Sequence, residues 1–275
     1  MRRLVRIVLN ITNLIFNKFG YNLSICPLYS RKYNPDSGKI MLNIGSGDWE
    51  CEGWTNLDYP SEWYVNEQKK HKIIHYDIRN DKLPFKDNSV DAVYCSHVIE
   101  HIEDKYISEL FSEVFRVLKK NGVARFCCPD AEFIYNVSKT DSDYWECRNT
   151  WFSSDFYVKN EKPRIVDFLV REIATPKLLG YKNGINERDY ISEFNSMEMY
   201  EFFDYLTKDL KFRDSYVGDH INYWTFDKAR KMLSEAGFGN IIRSKWSGSI
   251  TNEMKRTDKF DMVYPNISLY VEVVK

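Results

Sequence analysis

From Lys39 onward, short apolar runs alternate with longer segments of helical periodicity. Lys39–Ile44, Trp54–Asp58, Lys72–Asp77, Val90–Cys95 and Gly122–Cys128 read as five strands. The first runs into Gly45-Ser46-Gly47, and the second and third each end on an aspartate. Between the fourth and fifth, Ile107, Leu110, Phe111, Val114 and Leu118 recur at helical spacing. This predicts a helix with Asp104 at its N-cap and Asn121-Gly122 at its stop. Strands alternating with helices imply a mostly parallel sheet covered on both faces.

After residue 130 the alternation stops. Helical stretches are expected around Arg164–Ala174 and from Asn195, where Asn195 and Glu198 form a capping-box pair. The alternation returns at Thr225, a good N-cap, with a helix over Phe226–Ala236 stopped by Gly237 and closing strands at Ile241–Trp246 and Ile267–Val274. The expectation is a Rossmann-like seven-strand core over residues 25–130 and 225–275, interrupted by an insert over residues 131–224. An uninterrupted loop of that length is uncommon, and such inserts are usually functional or form a subdomain. This one leaves from a carboxyl strand end, where open α/β sheets bind ligands, and is therefore placed to cover the site.

Residues 1–24 form a separate element. Arg3, Arg6, Asn10, Asn13 and Asn17 make one polar stripe, and Leu4, Ile7, Val8, Ile11, Leu14, Ile15 and Phe19 fill the rest of the surface. That predicts an amphipathic helix, too short and interrupted to span a bilayer. It is read either as packed on the protein itself or on a second subunit of a homo-oligomer, or as an anchor through residues 1–20 on an anionic membrane surface. The corresponding location is the cytoplasm, with peripheral contact to the inner membrane face.

Charge narrows the partners. The 39 basic and 40 acidic residues leave a net of −1, which argues against nucleic acid as a partner. The six cysteines include no CxxC and no Cys/His pair at zinc-ligand spacing, so buried free thiols and no metal are expected. Aromatic residues reach 16% of the chain, which suits aromatic-lined binding surfaces.

The candidate chemistry gathers at the strand ends. Gly45 and Gly47 let backbone approach a ligand closely and expose peptide N–H groups. Asp58 is positioned to accept hydrogen bonds from both hydroxyls of a ribose. Asp77 is placed to accept from an adenine amino group. Three such features at consecutive strand ends fit a nucleoside-bearing ligand. A dinucleotide reading is weaker, because GxGxxG and the helix it opens are both missing.

The run from Lys82-Leu-Pro-Phe to Ser96-His-Val-Ile-Glu-His-Ile102 resembles the class I S-adenosylmethionine (SAM) methyltransferases of the broad type 11 group. Leu110–Gly122, His220-Ile-Asn-Tyr-Trp-Thr-Phe226 and Leu233–Phe238 carry the same resemblance, which spans about residues 39–130 and 218–275. It implies SAM as cofactor, with the glycine turn at the methionine part, Asp58 at the ribose and Asp77 at the adenine. The expected cofactor set is Asn43, Gly45, Ser46, Gly47, Asp58, Asp77, Ile78 and Ser96, and Tyr223 and Trp224 are expected at the acceptor. Two positions depart from the family: Asn43 replaces an acid and Trp49 a third glycine. The stretch from Gly47 to Trp54 is also too short for the usual first helix. Shortened forms of this kind occur in the family near polysaccharide gene products.

A methyl acceptor hydroxyl needs alignment and loss of its proton. His97 and His220 are the candidate bases, because imidazole titrates near neutrality. For His97 a structural hydrogen bond is the rival reading, and for His220 a packing role. Glu100 and His101 are read as opening a helix and orienting the adjacent loop. Neither the Asp/Asn-Pro-Pro-Tyr turn of adenine methylation nor the Pro-Cys of cytosine methylation follows strand four. The expected reaction is methyl transfer to a hydroxyl of a sugar, glycan or lipid-linked glycan precursor. The alternatives are a small-metabolite methyltransferase and a catalytically inactive scaffold of the same fold.

Overall fold

The computed structural model describes residues 38–61, 72–140, 164–182 and 190–275, together with Thr12, Asn66, Lys69 and Trp145. The amphipathic segment expected over residues 1–20 lies outside the described residues, Thr12 apart. Among the described residues no helix is long and apolar enough to cross a membrane.

Seven strands form one sheet: β1 (Met41–Ile44), β2 (Trp54–Asp58), β3 (Ile73–His75), β4 (Val90–Ser96), β5 (Leu118–Pro129), β6 (Asn240–Arg243) and β7 (Ser268–Val274). Their spatial order is β3-β2-β1-β4-β5-β7-β6. The first five pair in parallel, and β7 runs antiparallel to both β5 and β6. Because β1 reverses the direction in which strands are added, its carboxyl end faces the crevice where such sheets take ligands.

Side-chain alternation gives the sheet two different faces. On one, Leu42, Ile44, Val93, Cys95, Phe126 and Val271 pack under helices α1 (Asp104–Val117) and α7 (Phe226–Glu235). Ile107, Leu110, Phe111 and Val114 of α1 are all buried there, as their spacing required. Thr225 caps α7 by accepting from Lys228 N–H, and Gly237 ends it with φ of 108°. On the other face, Met41, Tyr94, Val123 and Tyr270 pack against Trp49, Met254 and Phe260. No helix follows β1; the segment between β6 and β7 covers that ground instead.

Three expected boundaries shift. Glu103, not Asp104, is the N-cap of α1. That helix ends at Val117, and Asn121-Gly122 lies inside β5, which starts early because Leu118 pairs with Val90. Asn195 and Glu198 do not share a capping box. Asn195 lies within α5 (Tyr190–Ser196), and Glu198 precedes α6 (Met199–Thr207), with no side-chain capping bond. Glu100 and His101 lie in a short 3₁₀ helix of their own, Ile99–His101, ahead of α1.

Between β5 and α7 lie α2 (Ala131–Thr140), α3 (Ile165–Ile173), α4 (Thr175–Lys182), α5 and α6. Ile134, Phe168, Leu169, Phe202 and Phe203 gather these helices into a second apolar cluster, joined to the sheet through Ile267.

Candidate functional site

A cavity of about 560 Å³ opens at the carboxyl ends of β1, β2 and β4. Gly45, Gly47, Asp58, Asp77, Ile78 and His97 line the sheet side, and Arg171, Phe212 and His220 close it from the insert. Residues of the insert therefore border the cavity at the strand ends.

The glycine turn is built differently from the expectation. Its N–H groups do not face the cavity: Gly45 and Ser46 donate to Leu57 O at 2.8 and 3.3 Å, and Gly47 donates to Asp58 Oδ2 at 2.6 Å. The turn lies tight against β2 and offers its Cα surface. Gly45 has φ of 69°, and a Cβ there would meet Val98 Cγ2 at 2.2 Å. Gly47 has φ of 54°, with nothing within 4 Å of where its Cβ would stand. Asp58 is held at the cavity wall by the Gly47 bond and by Tyr59 N–H at 2.7 Å. The open cradle at Gly47 beside a fixed carboxylate fits the ribose end of a nucleoside.

Asp77 also lines the cavity, but its carboxylate serves other partners. Oδ1 accepts from Arg79 N and Nε, and Oδ2 accepts from Arg79 Nη2 and Asn80 Nδ2, all at 2.9 Å. A carboxylate accepts about four hydrogen bonds, so these donors fill it and leave no place for an adenine amino group. Burial raises the Asp77 pKa, but the Arg79 bonds outweigh it and hold the group below its ordinary value. Arg79 was not anticipated as a site residue. It lies over the rings of Tyr59 and Phe212, at 5.1 and 4.1 Å from their centroids, and reaches Asp214 of the insert at 3.2 Å. Its spacing, two residues past a strand-end acid, is the only sequence signal for it.

The remaining expected cofactor residues divide. Asn43, Ser46 and Ser96 line a smaller neighbouring cavity with Trp49 and Lys259, on the other side of the glycine turn. Gly45 and Val263 border both cavities. Trp49 donates from Nε1 to Lys259 O and packs against Trp54, Tyr94 and Phe260, so it anchors the shortened turn.

Tyr223 and Trp224 do not line either cavity. Trp224 is fully buried against Phe111, and Tyr223 donates to Asp204 Oδ1 at 2.9 Å. Trp224 belongs to the core between the sheet, α1 and α7, and Tyr223 packs on the apolar cluster of the insert, which removes both from the acceptor set.

Histidines cluster at the insert end. His97 has φ of 55°, a left-handed backbone uncommon outside glycine. Its Nδ1 faces Glu100 Oε1 at 3.1 Å and its Nε2 lies 2.9 Å from Ser268 Oγ, so both ring nitrogens are engaged. His101 Nδ1–H donates to Asp219 O at 2.9 Å, and His220 Nδ1–H donates to Glu172 O at 2.7 Å. The two rings meet edge to face at 4.8 Å. In each, a protonated Nδ1 leaves Nε2 with the lone pair when the ring is neutral. Burial, then His101, pushes the His220 pKa down to about 4, against the pull of Glu100 and Glu172. His220 is thus neutral at pH 7, and a weaker base than an ordinary imidazole. Glu100 is fully buried; burial raises its pKa, but His97, His101 and His220 outweigh it and bring it to about 2.

Residues 54–126 match a protein family described as a methyltransferase domain. With the sheet order, the match supports a class I SAM-dependent methyltransferase. SAM is the cofactor this supports. A search of curated proteins finds no match to the chain. Solved structures similar to it include a SAM-dependent methyltransferase from Mesorhizobium loti, 14% identical over 90% of this chain and 95% of that one, TM-score 0.42. Another, from Archaeoglobus fulgidus, is 12% identical over 87% of each chain, TM-score 0.44. A third, described as a possible histamine N-methyltransferase from Thermotoga maritima, is 13% identical over 86% of this chain and 82% of that one, TM-score 0.41.

Proposed function

We propose that the chain transfers a methyl group from SAM to a hydroxyl of a sugar or glycan. The observation that carries this reading is one cavity lined both by a ribose-type cradle, Gly47 and Asp58, and by two imidazoles, His101 and His220. Bound SAM supplies a methyl group on a sulfonium, already activated for transfer. The protein's task is then to align the acceptor oxygen and manage one proton.

The acceptor end suits a ring bearing several hydroxyls. Tyr264 offers a ring, and His101, His220 and Arg171 offer polar atoms. His220 Nε2 is the nitrogen left to meet an acceptor, since Nδ1 is committed to Glu172 O. His97, with both nitrogens engaged, holds Glu100 and the β4 end in place. The polysaccharide setting rests on the shortened turn after β1, now seen to be pinned by Trp49. A location at the cytoplasmic membrane face belongs to the same reading.

The test is a methyl-transfer assay with radiolabelled SAM across a panel of monosaccharides, nucleotide sugars and lipid-linked saccharides, with small phenols and amines as controls. Label appearing as an O-methyl sugar supports the proposal. Label on amines or phenols alone contradicts the acceptor class. A chain that binds neither SAM nor its demethylated product returns the inactive-scaffold reading.

A further inference from the structure

The sequence offered no metal site, yet the fold assembles one set of donors suited to a cation. Glu100, His101 and His220 each present a ligand atom, and these atoms lie within 4.8 Å of one another. Glu100 Oε2 is buried with no hydrogen-bond partner, which is costly for a carboxylate unless something pairs with it. Both imidazoles donate Nδ1–H to backbone carbonyls, Asp219 O and Glu172 O. That arrangement fixes the ring and turns Nε2 into a lone-pair donor; it is the support that metal-bound histidines commonly have. His101 and His220 line the cavity, and Glu100 sits behind them.

We propose that Glu100, His101 and His220 form a two-histidine, one-carboxylate site for a divalent transition-metal cation, with its open coordination positions on the cavity. Nitrogen and carboxylate donors in this ratio suit Zn²⁺, Fe²⁺, Mn²⁺ or Co²⁺ rather than Ca²⁺ or Mg²⁺. Ligand atoms on a shared ion at ~2.1 Å lie no more than ~4.2 Å apart, so loading draws the present atoms in by a fraction of an ångström. His220 lies near the end of the insert, so the site takes two ligands from the β4 end and one from the insert.

For the role of the ion, the inference rests on the methyl-transfer reading above. An acceptor hydroxyl on the open position binds through its oxygen, and its O–H proton passes to solvent water. A zinc-bound water loses its proton near pH ~7, far below its ordinary value, and a bound hydroxyl is acidified in the same way. His220 then acts as a ligand rather than as the proton acceptor.

The test uses the tag-free full chain, stripped with chelator and titrated with Zn²⁺ and then Co²⁺ by calorimetry and visible absorption. One equivalent of each is expected to bind, with X-ray absorption of the Zn²⁺-loaded wild-type chain showing two imidazole nitrogens. His101→Gln, His220→Gln and Glu100→Gln are each expected to weaken Zn²⁺ by at least ~100-fold, more than typical losses from an outer partner. Thermal melts and titration with the demethylated product of SAM report whether each variant is folded. No stoichiometric metal, no imidazole in the wild-type absorption spectrum, or folded variants that bind Zn²⁺ as tightly as wild type would each overturn the site. Metal uptake without SAM-product binding keeps the site and removes the methyl-transfer role; product binding without metal does the reverse.

Discussion

Asp58 ends β2 and Asp77 lies two residues beyond the end of β3, and their neighbours give them different work. Asp58 is steadied by two backbone N–H groups at the cavity wall, whereas Asp77 is filled by Arg79 and Asn80. Asp58→Ala is expected to weaken binding of the demethylated SAM product by roughly tenfold to a hundredfold, the loss of one charged hydrogen-bonding partner at ~1.5–3 kcal/mol. Calorimetry on the folded variant checks it; unchanged affinity takes Asp58 out of the site. Asp77 carries a different expectation. Its folded pKa lies below the unfolded value of ~3.9, so it stabilises the fold fully above that pH. That contribution fades as pH falls through the lower folded pKa. Urea midpoints from pH 6 to pH 3 should therefore drop less steeply for Asp77→Asn than for wild type. Gly45→Ala places a methyl against Val98 in a left-handed turn and should lower stability by at least ~1–3 kcal/mol, read from the same urea curves.

At the scale of elements, most of what the sequence made legible was local. Thr225 at the head of α7, Gly237 at its end and the apolar stripe of α1 specify their own turns, and the structure has them where the spacing put them. The strands were legible because alternation and acid endings are local too. What stayed hidden depends on partners distant in sequence. Arg125 is an arginine inside a strand, fully buried, and pairs with Asp261 at 2.6 Å and Glu272 at 3.5 Å. Nothing near it in sequence announces either acid. The same holds for His101 and His220, which the fold brings together from distant parts of the chain, and for Trp224, whose burial in the core is invisible from residue type. A buried ion pair is most costly when half of it is removed. Asp261→Asn should destabilise the chain by ~3–5 kcal/mol, because it takes one of the two acids from a buried guanidinium. A single variant as stable as wild type in urea would contradict the pairing as a structural clamp.

Over the whole molecule, a sheet with a shortened first crossover borrows cover from its C-terminal segment and places a helical insert above the strand ends. The central claim is that this arrangement binds SAM between the glycine turn and the insert. Titration of the wild-type chain with SAM's demethylated product tests it most directly, because that ligand binds without turning over. One saturable site is expected, with a rise in melting temperature with ligand concentration, and both effects are expected to weaken on Asp58→Ala in a chain that stays folded. A folded wild-type chain that shows no binding heat and no thermal shift at millimolar ligand would contradict it.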